Sequence, residues 1–241
     1  MTIIFHKSIN KQLKMAGIFG LVLLATIVLN ELIHYDFWFQ DLLYSKQKGI
    51  WLYDIHSSWN RNIFYHGAKI LLGILGVGGI VLLIKNRKNQ KFVPYRKGLS
   101  ITILTLIICP LFISSLKNWS AIRCPSQIGR YSGPHPYEGL FDLSRYQEAS
   151  NEWGRCFPAG HASGGLALVA LMNFSEEKKK RFLLSMSGAT FGWIMGWHQM
   201  LRGAHFLSHT LASMWTALII CYLLEYFWER HFSRKKSAMK L

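Results

Sequence analysis

Five apolar runs, at 16–33, 68–84, 99–116, 182–201 and 207–228, dominate this chain of 241 residues. Each is close to the ~20 residues that an α-helix needs to cross the hydrocarbon core of a bilayer. In that medium no water serves the backbone, so such a chain must form helices that satisfy their own amides. Composition agrees: 17% of residues are charged, against about a quarter in soluble domains. A sixth, weaker run, "ASGGLALVALMNF" from position 162, is short by hydropathy alone. Its small residues suit close helix packing, and we take 161–175 as a span. The expected fold is all-α: one domain, 1–241, a six-transmembrane-helix bundle with two periplasmic loop segments.

The distribution of charge sets the topology. A net charge of +16 could signal nucleic acid, but the basic residues lie in blocks between the apolar runs rather than in a stripe. No nucleic-acid partner is expected. With both termini inside, the inner segments carry Lys7, Lys11 and Lys14; Lys85, Arg87, Lys88, Lys91, Arg96 and Lys97; Lys178, Lys179, Lys180 and Arg181; and Arg230, Arg234, Lys235, Lys236 and Lys240. These are eighteen of the 28 Lys and Arg, although the outer segments, 34–67 and 117–161, are much longer. The bias follows the positive-inside rule, and it needs the sixth span to do so. The run at 16–33 has no small-x-small cleavage site and reads as a retained first span. The aromatic stretches "DFWFQDLLY" and "GIWLYDI" suit the membrane interface or packing on the bundle. Cys109 and Cys221 fall inside spans. Cys124 and Cys156 share the second outer segment, where an oxidising compartment permits a disulfide; two reduced, packed thiols fit the sequence as well.

Three polar clusters meet at the outer ends of the spans: Lys117 with Arg123; "CFPAGHASGG" with Gly160 and His161; and "HQMLRGAHFLSH" with Arg202, His205 and His209. A site assembled between helices has this character. Cations at span ends are costly unless used, although a lone Lys or Arg commonly snorkels to the headgroups. Two cations beside two histidines suit a phosphate. Gly160 would let the backbone approach an anion closely, and free amides at a helix start add to the attraction. His205 and His209, four apart, could share a metal. No His-Glu-x-x-His pattern and no third ligand accompany them, so neither metal nor cofactor is expected.

These residues resemble the type 2 phosphatidic acid phosphatase superfamily, whose motifs are Lys-x6-Arg-Pro, Pro-Ser-Gly-His and Ser-Arg-x5-His-x3-Asp. Here they read "KNWSAIRCP", "PAGH" and "HQMLRGAHFLSH". Lys117, Pro125, Gly160, His161 and His205 match directly. Cys124 takes the first motif's Arg position, with Arg123 beside it; Ala159 replaces Ser; Arg202 lies three residues beyond the family's Arg; His209 takes the Asp position. The combination looks like a bacterial branch acting on lipid A and other lipid phosphates. The resemblance implies a metal-independent lipid phosphatase of the bacterial inner membrane, with its site at the periplasmic leaflet. Lipid A phosphate, phosphatidylglycerophosphate and undecaprenyl pyrophosphate are candidate substrates. A phosphotransferase or a non-catalytic lipid-phosphate binder are the alternatives.

The implied mechanism makes His205 the nucleophile, giving a phosphohistidine, and His161 the general acid and then base. Lys117, Arg123, Arg202 and the Gly160 amide would bind phosphate. His209 would orient His205 in place of the family's Asp, with Glu138 or Asp142 as the carboxylates that could restore a negative charge.

Overall fold

The computed structural model describes residues 2–53, 66–147 and 153–238. Residues 54–65 of the first outer segment, 148–152 of the second, and the terminal 239–241, with Lys240, lie outside the described residues.

Helix α1 (Thr2–Ile33) is followed by a short α2 (Tyr35–Asp41) and a two-stranded ribbon in which β1 (Tyr44–Ser45) pairs antiparallel with β2 (Ile50–Trp51). Then come α3 (Ala68–Lys85), α4 (Val93–Ser120), α5 (Gly160–Leu166) running on as a 3-10 helix over Ala167–Phe174, α6 (Lys178–Leu201) and α7 (Leu207–Ala238). All six apolar runs are therefore helical. Four of these helices, α1, α3, α4 and α7, are long and apolar enough to cross a membrane. The 160–174 segment is shorter, and α6 has 24 residues but is more polar.

The segment that hydropathy marks weakly is the centre of the core. Leu166, Ala167 and Ala170 are fully buried, between α4 and α6. Three glycines one turn apart on α6 make this possible. A methyl group on Gly192 would stand 2.4 Å from the Leu166 amide nitrogen, one on Gly188 2.2 Å from the Leu168 carbonyl, and one on Gly196 2.6 Å from the Thr210 methyl. Small residues at this spacing let helix backbones come together, and their lack of apolar bulk is why α6 reads as polar.

On the other side of the bundle α1 lies along α7. Phe19 stacks on Trp215 and Tyr222, with centroids at 5.9 and 5.7 Å, and the Trp215 indole donates to Thr26 Oγ1 at 3.0 Å. At the inner end, Lys97 Nζ lies 3.0 Å from Glu176, 3.0 Å from Glu225 and 3.1 Å from Glu229. Arg181 grips Glu225 with two nitrogens at 3.1 and 2.9 Å. Lys97 and Arg181 thus join α4, α6 and α7 as well as adding to the inner positive block.

The outer segments fold back onto the bundle. Arg130 clasps Asp41 through two hydrogen bonds, at 3.1 and 2.6 Å, and Tyr131 donates to the same carboxylate at 3.0 Å. Tyr44, Ile128, Tyr131 and Phe206 form a second buried cluster, with Phe37, Trp51 and Tyr137 packed against it. Phe37, Tyr44 and Trp51 of the two aromatic stretches pack in this way, while Trp38, Leu42, Ile50 and Leu52 are exposed.

Candidate active site

The outer ends of α4, α5 and α7 converge because the turn before α5 is clamped from both sides. Ser120 Oγ, at the end of α4, donates to the Phe157 carbonyl at 2.6 Å. The Ala159 amide donates to the His209 carbonyl at 3.1 Å, and Ser213 Oγ on α7 donates to the Ala159 carbonyl at 3.1 Å. The Pro-Ala-Gly turn is therefore fixed to α7, the helix that follows His205. Across this joint His161 Nδ1 lies 3.4 Å from His205 Nε2.

The chain reaches His205 through a tight reversal. Helix α6 ends in two bonds, Gly203 N–H to Met200 O at 3.0 Å and Ala204 N–H to Gln199 O at 2.9 Å, the pattern of a Schellman motif. Gly203 has φ +67°, and the Trp51 ring lies 2.3 Å from where its Cβ would stand. Both the backbone and the packed indole demand glycine. Asp36 of α2 then holds the start of α7: its carboxylate accepts from the Ser208 amide at 2.8 Å and from the Ser208 hydroxyl. Burial pushes Asp36 up to about 7 despite these donors.

His205 is buried, and its two ring nitrogens have different partners. The Cys156 backbone carbonyl accepts hydrogen bonds from the imidazoles of His205 and His209, and Cys156 Sγ lies 3.4 Å from His205 Nδ1. That side of the ring faces Cys156, so the proton sits on Nδ1 and the lone pair on Nε2, towards His161. Burial, then the nearby His209, His161 and Lys117, hold the ring well below its ordinary 6.5, against the pull of the Cys156 carbonyl. A neutral imidazole with a free Nε2 lone pair is a nucleophile at pH 7.

Cys156 is itself immobilised. It is bonded to Cys124, with Cα atoms 5.1 Å apart, and its amide donates to the Ile122 carbonyl at 2.9 Å. Cys156 Sγ and one nitrogen from each of His205 and His209 lie within 4.8 Å of one another, a spacing suited to metal ligands. The sulfur is committed to the disulfide, which leaves two imidazoles, one fewer than the protein ligands of a catalytic zinc.

Cations surround the pair. A Cβ on Gly160 would stand 3.9 Å from Lys117 Nζ, so that ammonium lies over the Gly160 backbone. The charges of Lys117, Lys69 and Arg202 all bear on the His161 ring, and Lys117 also bears on His205. Arg202 Nε is buried with no hydrogen-bond partner among the described residues, which is costly unless an anion answers it.

Arg123, expected as a phosphate ligand, is buried with Nε 3.6 Å from Glu138 Oε2. Of the two carboxylates considered for the missing Asp, Asp142 is exposed and accepts from the Ser144 amide at 2.9 Å. Glu138 is buried and lines a cavity of about 20 Å³ together with His209. Within it, His209 Nδ1 and Glu138 Oε2 both lack a hydrogen-bond partner among the described residues.

Sequence motifs did not mark Asp36, the Cys156 carbonyl or Lys69. Asp36 left a weak trace, a lone carboxylate in an aromatic outer segment; a backbone carbonyl leaves none.

Residues 98–233 match the family model of the PAP2 superfamily, while no curated protein and no solved structure gives a significant match. Members of that family are phosphatases acting on phosphate esters, often of lipids. The match spans more than half of the chain and takes in Lys117, His161, Arg202, His205 and His209, and on that ground the protein belongs to the PAP2 superfamily.

Proposed function

We propose that the protein is a lipid-phosphate phosphatase of the bacterial inner membrane, spanning it six times, with both termini cytoplasmic and the site at the periplasmic leaflet. The observation that carries this reading is the contact between His161 Nδ1 and His205 Nε2 at 3.4 Å, with His205 held from behind by Cys156 and cations in front. A protonated His161 would donate across that contact to the His205 lone pair and be left neutral once it gives its proton away. A phosphoryl group would take the place of that contact, with its oxygens facing Lys117, Arg202 and the Gly160 amide.

His205 Nε2 then attacks phosphorus. The N–P bond forms, the P–O bond to the lipid breaks, and His161 gives its proton to the leaving oxygen. The fixed cations balance charge on the equatorial oxygens. Water next attacks the phosphohistidine, its proton returns to His161, and the N–P bond breaks to release inorganic phosphate. The products are phosphate and the lipid alcohol, or the lipid monophosphate if the substrate is a pyrophosphate. No step draws on a metal.

His209 acts one shell back. Its ring donates to the Cys156 carbonyl, its Nδ1 has no hydrogen-bond partner among the described residues, and it lines a cavity with Glu138. That cavity, about 20 Å³, has room for one water, which would link Glu138 to His209 and bring a negative charge within reach of the forming N-phosphoryl imidazolium.

Purified protein in vesicles, offered lipid A, phosphatidylglycerophosphate or undecaprenyl pyrophosphate one at a time, should release inorganic phosphate from at least one. His205→Ala and His161→Ala should each lower the rate by at least about a thousandfold, as loss of the nucleophile or the acid requires. Phosphate appearing on a second lipid in place of solution would make the protein a phosphotransferase. Turnover that survives His205→Ala would overturn the reading.

A further inference from the structure

Cys156, His205 and His209 are all buried, and one ligand atom from each lies within 4.8 Å of the others. The proposed reaction uses the two imidazoles and the Cys156 carbonyl but gives the Cys156 sulfur no part. That sulfur lies 3.4 Å from His205 Nδ1. A sulfur and a nitrogen on one tetrahedral zinc, with bonds of about 2.3 and 2.0 Å, stand about 3.5 Å apart. The pair is therefore already at ligand spacing, and the third atom has little more than about 1 Å to travel.

One covalent bond keeps this site closed. Cys156 Sγ is joined to Cys124, and a disulfide sulfur has no thiolate charge to offer a cation. Cys156 is fully buried whereas Cys124 is half-buried, so Cys124 is the sulfur that a reductant reaches. A thiolate of a small dithiol attacks Cys124 Sγ; the Cys124–Cys156 bond breaks and Cys156 leaves as a thiolate beside His205. The second sulfur of the dithiol then displaces Cys124, so the dithiol is oxidised to a disulfide and the bridge is reduced to two thiol groups. Cys156 keeps its own anchor, since its amide donates to the Ile122 carbonyl at 2.9 Å. The surroundings suit a metal as well. The His209 ring is turned to Cys156, donating to its carbonyl, while His209 Nδ1 and Glu138 Oε2 lack hydrogen-bond partners among the described residues and their side chains line one cavity. A metal-bound histidine almost always gives its other ring N–H to a carboxylate, a carbonyl or water, and Glu138 is placed to take it.

We propose that reduction of the Cys124–Cys156 bridge opens a Cys-His-His site for zinc at Cys156, His205 and His209, and that zinc bound there shuts the enzyme off. The inhibition follows from the tautomer. Zinc on His205 Nδ1 displaces that proton to Nε2, which then has no lone pair with which to attack phosphorus. The thiol proton of Cys156 goes to solvent. The loss of activity rests on the phosphatase reading above; the metal site does not.

Cys124→Ser isolates the site, because it leaves Cys156 a thiol without any reductant. With cobalt(II) as the probe, Cys124→Ser protein in detergent should take up one more equivalent than the oxidised wild type, with a thiolate-to-cobalt charge-transfer band and the strong visible absorption of tetrahedral geometry. Wild type reduced by a phosphine, which becomes the phosphine oxide with oxygen from water and is removed without air before metal is added, should give the same spectrum however the variant folds. The Cys124→Ser, Cys156→Ser pair should lose the band, and Glu138→Gln should weaken cobalt binding about tenfold, the loss usual when the partner of a ligating histidine is removed. Phosphate release by reduced wild type should be lost on adding one equivalent of zinc and restored by a chelator, while oxidised protein keeps its rate. Cobalt uptake no greater in Cys124→Ser and reduced protein than in oxidised protein, or a spectrum without the thiolate band, would overturn the site. Zinc that binds without slowing turnover would overturn the inhibition. If the band forms but the wild type hydrolyses no phosphate ester, the phosphatase reading falls and the metal site stands.

Discussion

At the residue scale, the site shows how a lost carboxylate can be covered without being replaced in kind. The Asp position holds His209, which brings no charge, and the His205 imidazole is instead oriented by the Cys156 carbonyl. Glu138 and Asp36 are buried carboxylates that share a cavity with His209; Asp36 is bound to Ser208, whereas Glu138 Oε2 has no hydrogen-bond partner among the described residues. Glu138→Gln should lower kcat about tenfold with little change in KM, because it removes a charge felt mainly in the transition state. In the His209→Asp background the same change should have little effect, since a carboxylate there would meet His205 directly; a double-mutant cycle measures this coupling. Asp36 gives a prediction in pH. Its folded value of about 7 lies above the 3.8 of an exposed Asp, so the folded chain keeps a proton that the unfolded chain gives up. Stability should therefore fall as pH rises from about 4 to about 7 and level off above that. Thermal melts in detergent should show this slope in the wild type and a flatter one in Asp36→Asn. That His161, His205, Lys117 and Arg202 gather in one place could be read from the sequence, because they lie at matching ends of the apolar runs in stretches that resemble the family's motifs. The Cys156 carbonyl could not, because any residue has one and only the fold aims it.

Among the elements, the hidden helix is the most informative. The segment 160–174 is weakly apolar because it touches helices on all sides rather than lipid, and α6 is polar for the complementary reason that Gly188, Gly192 and Gly196 receive it. Pattern reading finds α6 as an apolar run and the 160–174 segment through charge parity, but cannot say that the latter is the core of the bundle. Gly192→Leu should abolish folding, since its side chain would enter backbone 2.4 Å away, and size-exclusion profiles would show aggregate. Gly78→Leu, equally large but facing open space, should elute as the wild type. The Cys124–Cys156 disulfide belongs to this scale too, because it fixes the turn that carries the Cys156 carbonyl. Dithiol reduction should lower kcat more than it raises KM, as His205 loses the partner that sets its tautomer; equal loss of activity and melting temperature would make the bridge merely structural.

For the whole molecule, the bundle separates its charges by purpose. At one end Lys117, Lys69 and Arg202 gather beside His161. At the inner end Lys97 and Arg181 are neutralised by Glu176, Glu225 and Glu229. Removing one partner of such a buried network commonly costs about 3–5 kcal/mol, so Glu225→Ala should lower the melting temperature sharply while the folded fraction keeps wild-type KM. Blocks of Lys and Arg mark one end of the bundle in the sequence, but not that part of the block is structural, because pairing depends on which helices become neighbours. A covalent phosphohistidine is the most directly testable step of the proposed reaction. Alkaline quenching of the enzyme within milliseconds of mixing with ³²P-labelled substrate should leave label on His205, with more label in His161→Ala, whose second step is slowed. Label on another residue, or single-turnover phosphate release in His205→Ala at the wild-type rate, would contradict it.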